Sequence, residues 1–382
     1  MAAPRHEFIT TLGRGPEELR DAPRHPLVPC SRLGIEGADT DIDPAARGGA
    51  PEDRVVTRRR IAIPGEARPP SPPDPTVRRS ALPWHQPKSV EDDPTAADAV
   101  RAIVRHPSYR EADRDVDFLD QNDTRGVRLQ LDYLKAELLL REHGVAHTIV
   151  VFGGTRVAEP RAARRRADVC AAEQTDDAAS RRRLAIARRV VANSHYYDIA
   201  RTFGGLVGAA SSRTRGGRIM VMTGGGPGIM EAANRGAHDR GSESVGLNIS
   251  LPHEQYPNPY VSPELCFSFH YFAIRKLHFL LRARALVVFP GGYGTLDELF
   301  EVLNLVQTRK IAPLPVVLVG EAYWRRVFDP EFLVEEGMID PEDRELFWFA
   351  ETAEETWHGI LRWYDAAGAP LLEPDDNQGQ PG

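Results

Sequence analysis

Short apolar runs recur along the middle of the chain: TIVVF before Gly153, RIMVM before Thr223, SVGLNI from Ser244, ALVVF before Pro290 and LPVVLV before Gly320. Runs of this length, unbroken by polar alternation and closed by turn residues, fit strands covered on both faces. Longer stretches with helical periodicity separate them. VRLQLDYLKAELLLREHG, Val127 to Gly144, sets Val127, Leu131, Leu134 and Leu138 on one helical face, and Gly144 is its stop. Buried strands alternating with helices predict an α/β fold, a doubly wound and mostly parallel Rossmann-like sheet with helices on both faces. Ligands of such sheets bind beyond the carboxyl ends of the strands. Three strand ends here are rich in glycine, at 153–154, 224–228 and 291–294, so they are expected to converge on one site.

The flanks read differently. Residues 1 to about 90 hold fifteen of the 31 prolines, in segments such as ARPPSPPDPTVRRS that sustain neither helix nor ladder. Residues 1–92 are therefore expected to form a mostly disordered arm, 93–366 the ordered domain and 367–382 a flexible tail. Inside the domain, 156–193 is a charged helical insertion, EPRAARRRADVCAAEQTDDAASRRRLAIARRVVAN, read as a solvated hairpin on the domain edge or as a surface for an anionic partner. The net charge of −7 makes nucleic acid a poor partner for the molecule as a whole. Three cysteines, Cys30, Cys170 and Cys266, form no CxxC pair, which suits a reducing compartment. No apolar leader or membrane-length run is present, so the expectation is a cytoplasmic protein with no membrane partner.

The glycine loops narrow the chemistry. TGGGPGIMEAANRGA, from Thr223, joins a strand to a helix, and its glycines let backbone amides approach an anion at the helix's positive end. It is not the dinucleotide fingerprint: after Gly224 and Gly226 a third glycine is needed at 229, where Ile229 stands. No GK[ST] follows either loop, so neither is a P-loop. In PGGYGT, Gly291, Gly292 and Gly294 can present amides while Thr295 adds a hydroxyl, a cradle for a monoester phosphate. Thr295 and Glu298 also read as a T-x-x-E capping box, a purely structural alternative. Asp297 suits the first turn of the helix as a charge near its positive end, and Glu231 has the same reading or a substrate contact. His270 and His278 lack a third ligand, so no metal site is read.

Together, GGGPGIMEAANRGA, LNISLPHEQYPNPY, FAIRK and PGGYGTLDE resemble the LOG ("Lonely Guy") phosphoribohydrolases, once labelled lysine decarboxylases from sequence. The resemblance runs from about Thr148 to Tyr364, and the arm and the 156–193 insertion depart from the compact members. It implies hydrolysis of the N-glycosidic bond of a nucleoside 5′-monophosphate, of the AMP or cytokinin riboside type, to free base and ribose 5-phosphate. It implies Arg275 and Glu298 as the catalytic pair, with Lys276 beside them. Gly291, Gly292, Tyr293, Gly294 and Thr295 would hold the phosphate, with Gly225, Gly226 and Thr155 from the other loops, and Glu254 matches a substrate-contacting acid. It implies no cofactor, and no site for pyridoxal phosphate is found in the chain. Family sites are commonly completed by a second subunit, so a homodimer or larger homo-oligomer is expected.

Breaking the C1′–N bond leaves positive charge on the sugar and negative charge on the base. A carboxylate near C1′ favours that cation and can orient or deprotonate water. Glu298, one turn past the phosphate cradle, is so placed. Arg275 is a poor proton donor because guanidinium stays charged, so it is assigned to polarising the base or orienting the nucleotide. Two alternatives remain at this point: Arg275 and Lys276 as plain surface residues of their helix, and a non-catalytic nucleotide sensor using the same pocket.

Overall fold

Seven strands form one sheet in the computed structural model, which describes residues 88–211, 217–251 and 256–373. The arm up to residue 87, the tail beyond 373 and Glu254 lie outside the described residues. The strands are β1 (Val145–Phe152), β2 (Arg218–Thr223), β3 (Ser244–Ile249), β4 (Cys266–Phe269), β5 (Ala283–Val288), β6 (Val316–Val319) and β7 (Trp348–Ala350). Their order is β4-β3-β2-β1-β5-β6-β7, and every adjacent pair is parallel. The doubly wound sheet is thus as expected, and all five predicted strands are present. The two edge strands, β4 and β7, were not foreseen. Each pairs on one side only and is four or three residues long, too short for a period to be read.

Side-chain alternation explains why the central strands read as unbroken apolar runs. On β1, Ile149 and Val151 enter one core while Val150 and Phe152 enter the other. Val221 and Met222 divide likewise on β2, and Val287 and Val288 on β5. Successive side chains point to opposite faces, so a strand covered by helices on both must be apolar throughout. The winding reverses at β1: the chain moves outward through β2, β3 and β4, then returns to lay β5 on the other side. The crevice beyond the carboxyl ends of β1 and β5 is therefore the topological switch point.

The helix Arg125–Glu142 forms where predicted, and Gly144 follows it with φ 65°. The apolar stripe read from the sequence is not its buried face. Val127, Leu131 and Leu138 are about half exposed, and Ala136 and Leu140 are the buried positions. The inward face is instead fixed by acids. Asp132 accepts from the amides of His270 (3.0 Å) and Tyr271 (2.9 Å), and Glu137 takes both ends of the Arg282 guanidinium at 2.8 Å. Arg282 also holds the Glu137 carboxyl below its ordinary range. Apolar periodicity does not reveal a face anchored this way, because two of its inward positions, Asp132 and Glu137, are acids.

The insertion folds as two helices, Pro160–Ala172 and Ala178–Asn193, that pack on each other. Ala163, Ser180 and Leu184 are their buried residues, and arginines such as Arg165 and Arg182 point outward.

The tightest packing lies between the helices His195–Ala210 and Ile229–His238. A methyl on Gly204 would strike the Ala233 carbonyl, and one on Gly236 the Arg201 carbonyl. Both obstacles are backbone and cannot swing aside. Gly204→Ala or Gly236→Ala should each cost about 2–3 kcal/mol through overpacking. Gly126→Ala, in a helix with open space around it, should be neutral or stabilising by up to about 1 kcal/mol. Urea midpoints of the three variants check this.

Candidate active site

Three strand ends meet through their backbones. The Gly154 amide, just past β1, donates to the Pro290 carbonyl past β5 (2.9 Å). The Gly154 carbonyl accepts from the amide of Ile229, at the end of the loop past β2 (3.3 Å). A methyl on Gly153 would lie 2.7 Å from Ile229 Cβ. Gly228, at φ 78°, has no room for one against the Gly154 carbonyl. So the glycines here serve contact between loops as well as any approach to a ligand.

The loop past β2 is pinned from behind by buried polar groups. The Thr223 hydroxyl donates to Asn234 Oδ1 (2.7 Å) and accepts from the Gly225 amide (2.9 Å). Asn258 donates through its amide to the Gly225 carbonyl (2.8 Å) and through Nδ2 to the Gly226 carbonyl (3.0 Å). Buried polar groups satisfied in this way rigidify what they hold.

A cleft of about 310 Å³ opens in front of these loops. Gly154, Thr155, Gly224, Gly292, Gly294 and Thr295 are among its walls. The helix Tyr293–Gln307 begins at the cleft, so its unpaired first-turn amides lie at the wall. Gly291 is needed behind it because a methyl there would strike the Thr295 side chain.

The capping-box alternative fails on register. The N-cap is Gly292, with no side-chain cap, and the Leu296 amide already donates to the Gly292 carbonyl at 3.0 Å. Thr295 is thus the third helical residue and Glu298 the sixth. Asp297 and Glu298 lie past the first turn, which removes the predicted first-turn role of Asp297.

Glu298 lines the cleft and is only 9% exposed. Its Oε1 lies 3.9 Å from Nη1 of Arg275, and no hydrogen-bond donor among the described residues is assigned to its carboxylate. Burial pushes its carboxyl up to about 7, against the pull of Arg275; the acids Asp297 and Glu301 push the same way, and Lys276 opposes them. Arg275 is not a surface residue. Its Nε donates to the Leu247 carbonyl (2.7 Å) at the end of β3, its guanidinium lies 5.2 Å from the Phe279 ring centre, and burial lowers its pKa. A Cβ on Gly224 would sit 2.5 Å from Arg275 Nη2, so that glycine makes room for the guanidinium. Asp132 accepts from the amides of His270 and Tyr271, which lead into the helix Phe272–Leu281 that carries Arg275.

Other predicted residues take different places. Lys276 does not line the cleft; its ammonium pairs with Asp297 (2.7 Å) and Glu301 (3.2 Å). Tyr293 is 92% exposed beside the cleft rather than in it. Gly225 and Gly226 are buried in the polar network behind the wall, and Gly291 accepts from the Tyr323 hydroxyl at 2.5 Å. Glu231 accepts from the Tyr197 hydroxyl (2.8 Å) and does not reach the cleft. Asn248, Met230 and Phe272 line the cleft and were missed. Asn248 was findable, since it stands at the carboxyl end of SVGLNI; Met230 and Phe272 carry no local signal beyond being apolar.

Residues 230–360 match the family model described as "Possible lysine decarboxylase". The cytokinin riboside 5′-monophosphate phosphoribohydrolase LOG3 of Arabidopsis thaliana is 31% identical over 140 residues, 36% of this chain and 63% of that protein. The probable enzyme of the same name, LOG4 of Oryza sativa subsp. japonica, is 32% identical over 142 residues, 36% and 59% of the two chains. Over part of its length the chain is thus similar to the LOG enzymes. The match spans less than two thirds of the length of these LOG relatives. The family-model match, 230–360, includes both Arg275 and Glu298. Among solved structures, the Moco carrier protein from Chlamydomonas reinhardtii is 18% identical with a TM-score of 0.34, over 58% of this chain and 98% of that one.

The raised Glu298 carboxyl has a consequence for stability. Between about pH 4.5 and 7 the folded state holds a proton that the unfolded state has released, so stability falls as pH rises through that window. A glutamine side chain at this position mimics the protonated form. Glu298→Gln should therefore match the parent near pH 5 and exceed it by about 1–3 kcal/mol near pH 8. Urea melts at the two pH values test this; a loss of stability at pH 8 would contradict the assignment.

Proposed function

We propose that the protein hydrolyses the N-glycosidic bond of a nucleoside 5′-monophosphate, of the AMP or cytokinin riboside type, to free base and ribose 5-phosphate. The observation that carries this reading is Glu298: a carboxylate in the cleft wall with no assigned hydrogen-bond donor, 3.9 Å from Arg275, on the helix whose N-terminus lines the same cleft. The phosphate sits against the amides at Gly292, Gly294 and Thr295, where the helix dipole favours an anion. Glu298 lies three residues past Thr295, about 5 Å along the helix axis, which is the span of a ribose. Its anion steadies the sugar cation and takes a proton from the attacking water. Arg275, held by the Leu247 carbonyl, faces the departing base as a fixed positive charge. Phe272 and Met230 give the base an apolar flank.

The active form of Glu298 is the anion. As its carboxyl titrates at about 7, kcat/KM should climb with pH and level off above that value. In a panel of nucleoside 5′-monophosphates scored chromatographically, base and ribose 5-phosphate should appear in equal amounts. Glu298→Gln should lower kcat by about 10²–10⁴-fold while nucleotide binding persists. Binding without base release from any nucleotide in the parent protein would instead mark a sensor.

We also propose a homo-oligomer. Val127, Leu131 and Leu138 share one exposed face of their helix, and the exposed Leu277 and Leu281 lie on the helix packed beside it. Contiguous exposed apolar side chains on neighbouring helices are the mark of an interface. Leu131→Glu together with Leu138→Glu should shift the mass seen by light scattering toward the monomer.

A further inference from the structure

A second cavity, of about 410 Å³, adjoins the cleft and shares Gly154, Thr155 and Gly292 with it. Of these, Gly292 is assigned above to the 5′-phosphate, and Gly154 and Thr155 line the same cleft. The far side is built by the insertion: Val190 and Asn193 come from the helix Ala178–Asn193. Arg156 lines the cavity, is exposed, and has no ion pair or hydrogen bond among the described residues. Tyr323 lines it too, and its hydroxyl fixes the Gly291 carbonyl.

A nucleoside monophosphate that fills the first cleft leaves this space empty and this guanidinium without an anion. We propose that the second cavity takes a further phosphate attached to the first, so that the site also accepts a nucleoside 5′-diphosphate and binds it more tightly than the monophosphate. The inference rests on the hydrolase reading for the reaction, but not for the binding. A terminal phosphate extends past the shared glycines toward Arg156, whose planar donors suit a phosphate in bidentate contact. The bond broken is unchanged. Water adds its oxygen to C1′, the C1′–N bond breaks, the base leaves with a proton, and both phosphates stay on the sugar. The insertion, which the monophosphate chemistry does not use, thereby acquires a role as the wall of a specificity pocket.

Calorimetric titration of the full chain with ADP and AMP, paired with chromatography of released adenine, tests the proposal. ADP should bind about tenfold more tightly than AMP, the gain expected of one charge-assisted phosphate contact. In Arg156→Gln the ratio of the two affinities should fall toward one. ADP binding no tighter than AMP would overturn the proposal. So would an equal loss for both nucleotides in Arg156→Gln, which would put Arg156 on the first phosphate. Adenine released from AMP but not from ADP would refute the substrate assignment and leave the monophosphate hydrolase standing. An ADP preference that depends on Arg156, with no adenine released from either nucleotide, would keep the subsite and refute the hydrolase.

Discussion

The backbone of Gly154 is bonded at both ends, its amide donating to the Pro290 carbonyl and its carbonyl accepting from the Ile229 amide. These two hydrogen bonds fasten the carboxyl ends of β1, β2 and β5 into one ridge. With Gly153 and Gly228 too crowded for a side chain, the ridge has a single arrangement. The helix Tyr293–Gln307 springs from that ridge, so the direction of its first amides is set before any ligand arrives. Preorganised donors cost no reorganisation when charge develops in front of them. The position of Glu298 follows from the same fastening, because it is six residues into that helix.

The electrostatics depend on a division of labour between neighbouring residues. Arg275 and Lys276 are adjacent in sequence but face different tasks. Arg275 turns to the cleft and the Leu247 carbonyl, while Lys276 turns to Asp297 and Glu301. Those two acids flank Glu298 on its own helix, and both oppose its ionisation. By pairing with them, Lys276 limits that opposition. Lys276 thus bears on the charge state of Glu298, although it does not line the cleft. The Glu298 carboxyl at about 7 is the balance of burial and flanking acids against two cations, and that balance leaves a carboxyl that changes charge near neutral pH.

Much of this was legible in the sequence because the sheet is covered on both faces. Double burial turns β1, β2 and β5 into unbroken apolar runs, and runs of that kind need no alignment to be seen. The convergence of the three glycine loops followed from their standing at strand ends. What was not legible has equally physical causes. The inward face of the helix Arg125–Glu142 is fixed by Asp132 and Glu137, whose partners lie more than a hundred residues away. The places of Lys276 and Gly225 depend on tertiary partners, respectively Asp297 with Glu301 and the Asn258 amide. The family resemblance put them in the site; contacts from elsewhere in the chain hold them outside the cleft lining.

The motif PGGYGTLDE shows why local spacing can mislead at a decisive residue. T-x-x-E has the spacing of a capping box, and a helix starting at Leu296 would have used it so. The helix starts three residues earlier, at Tyr293, because Gly292 supplies the N-cap without a side chain. That earlier start moves Thr295 into the first turn, against Gly291, and carries Glu298 beyond reach of the end of the helix. A capping glutamate would have its carboxylate satisfied by a backbone amide and a correspondingly low pKa. Freed of that role, Glu298 is buried beside Arg275 with its carboxyl raised. The glycines of this loop thus do two things at once: they leave amides open to an anion, and they set the register that leaves the Glu298 carboxylate uncapped.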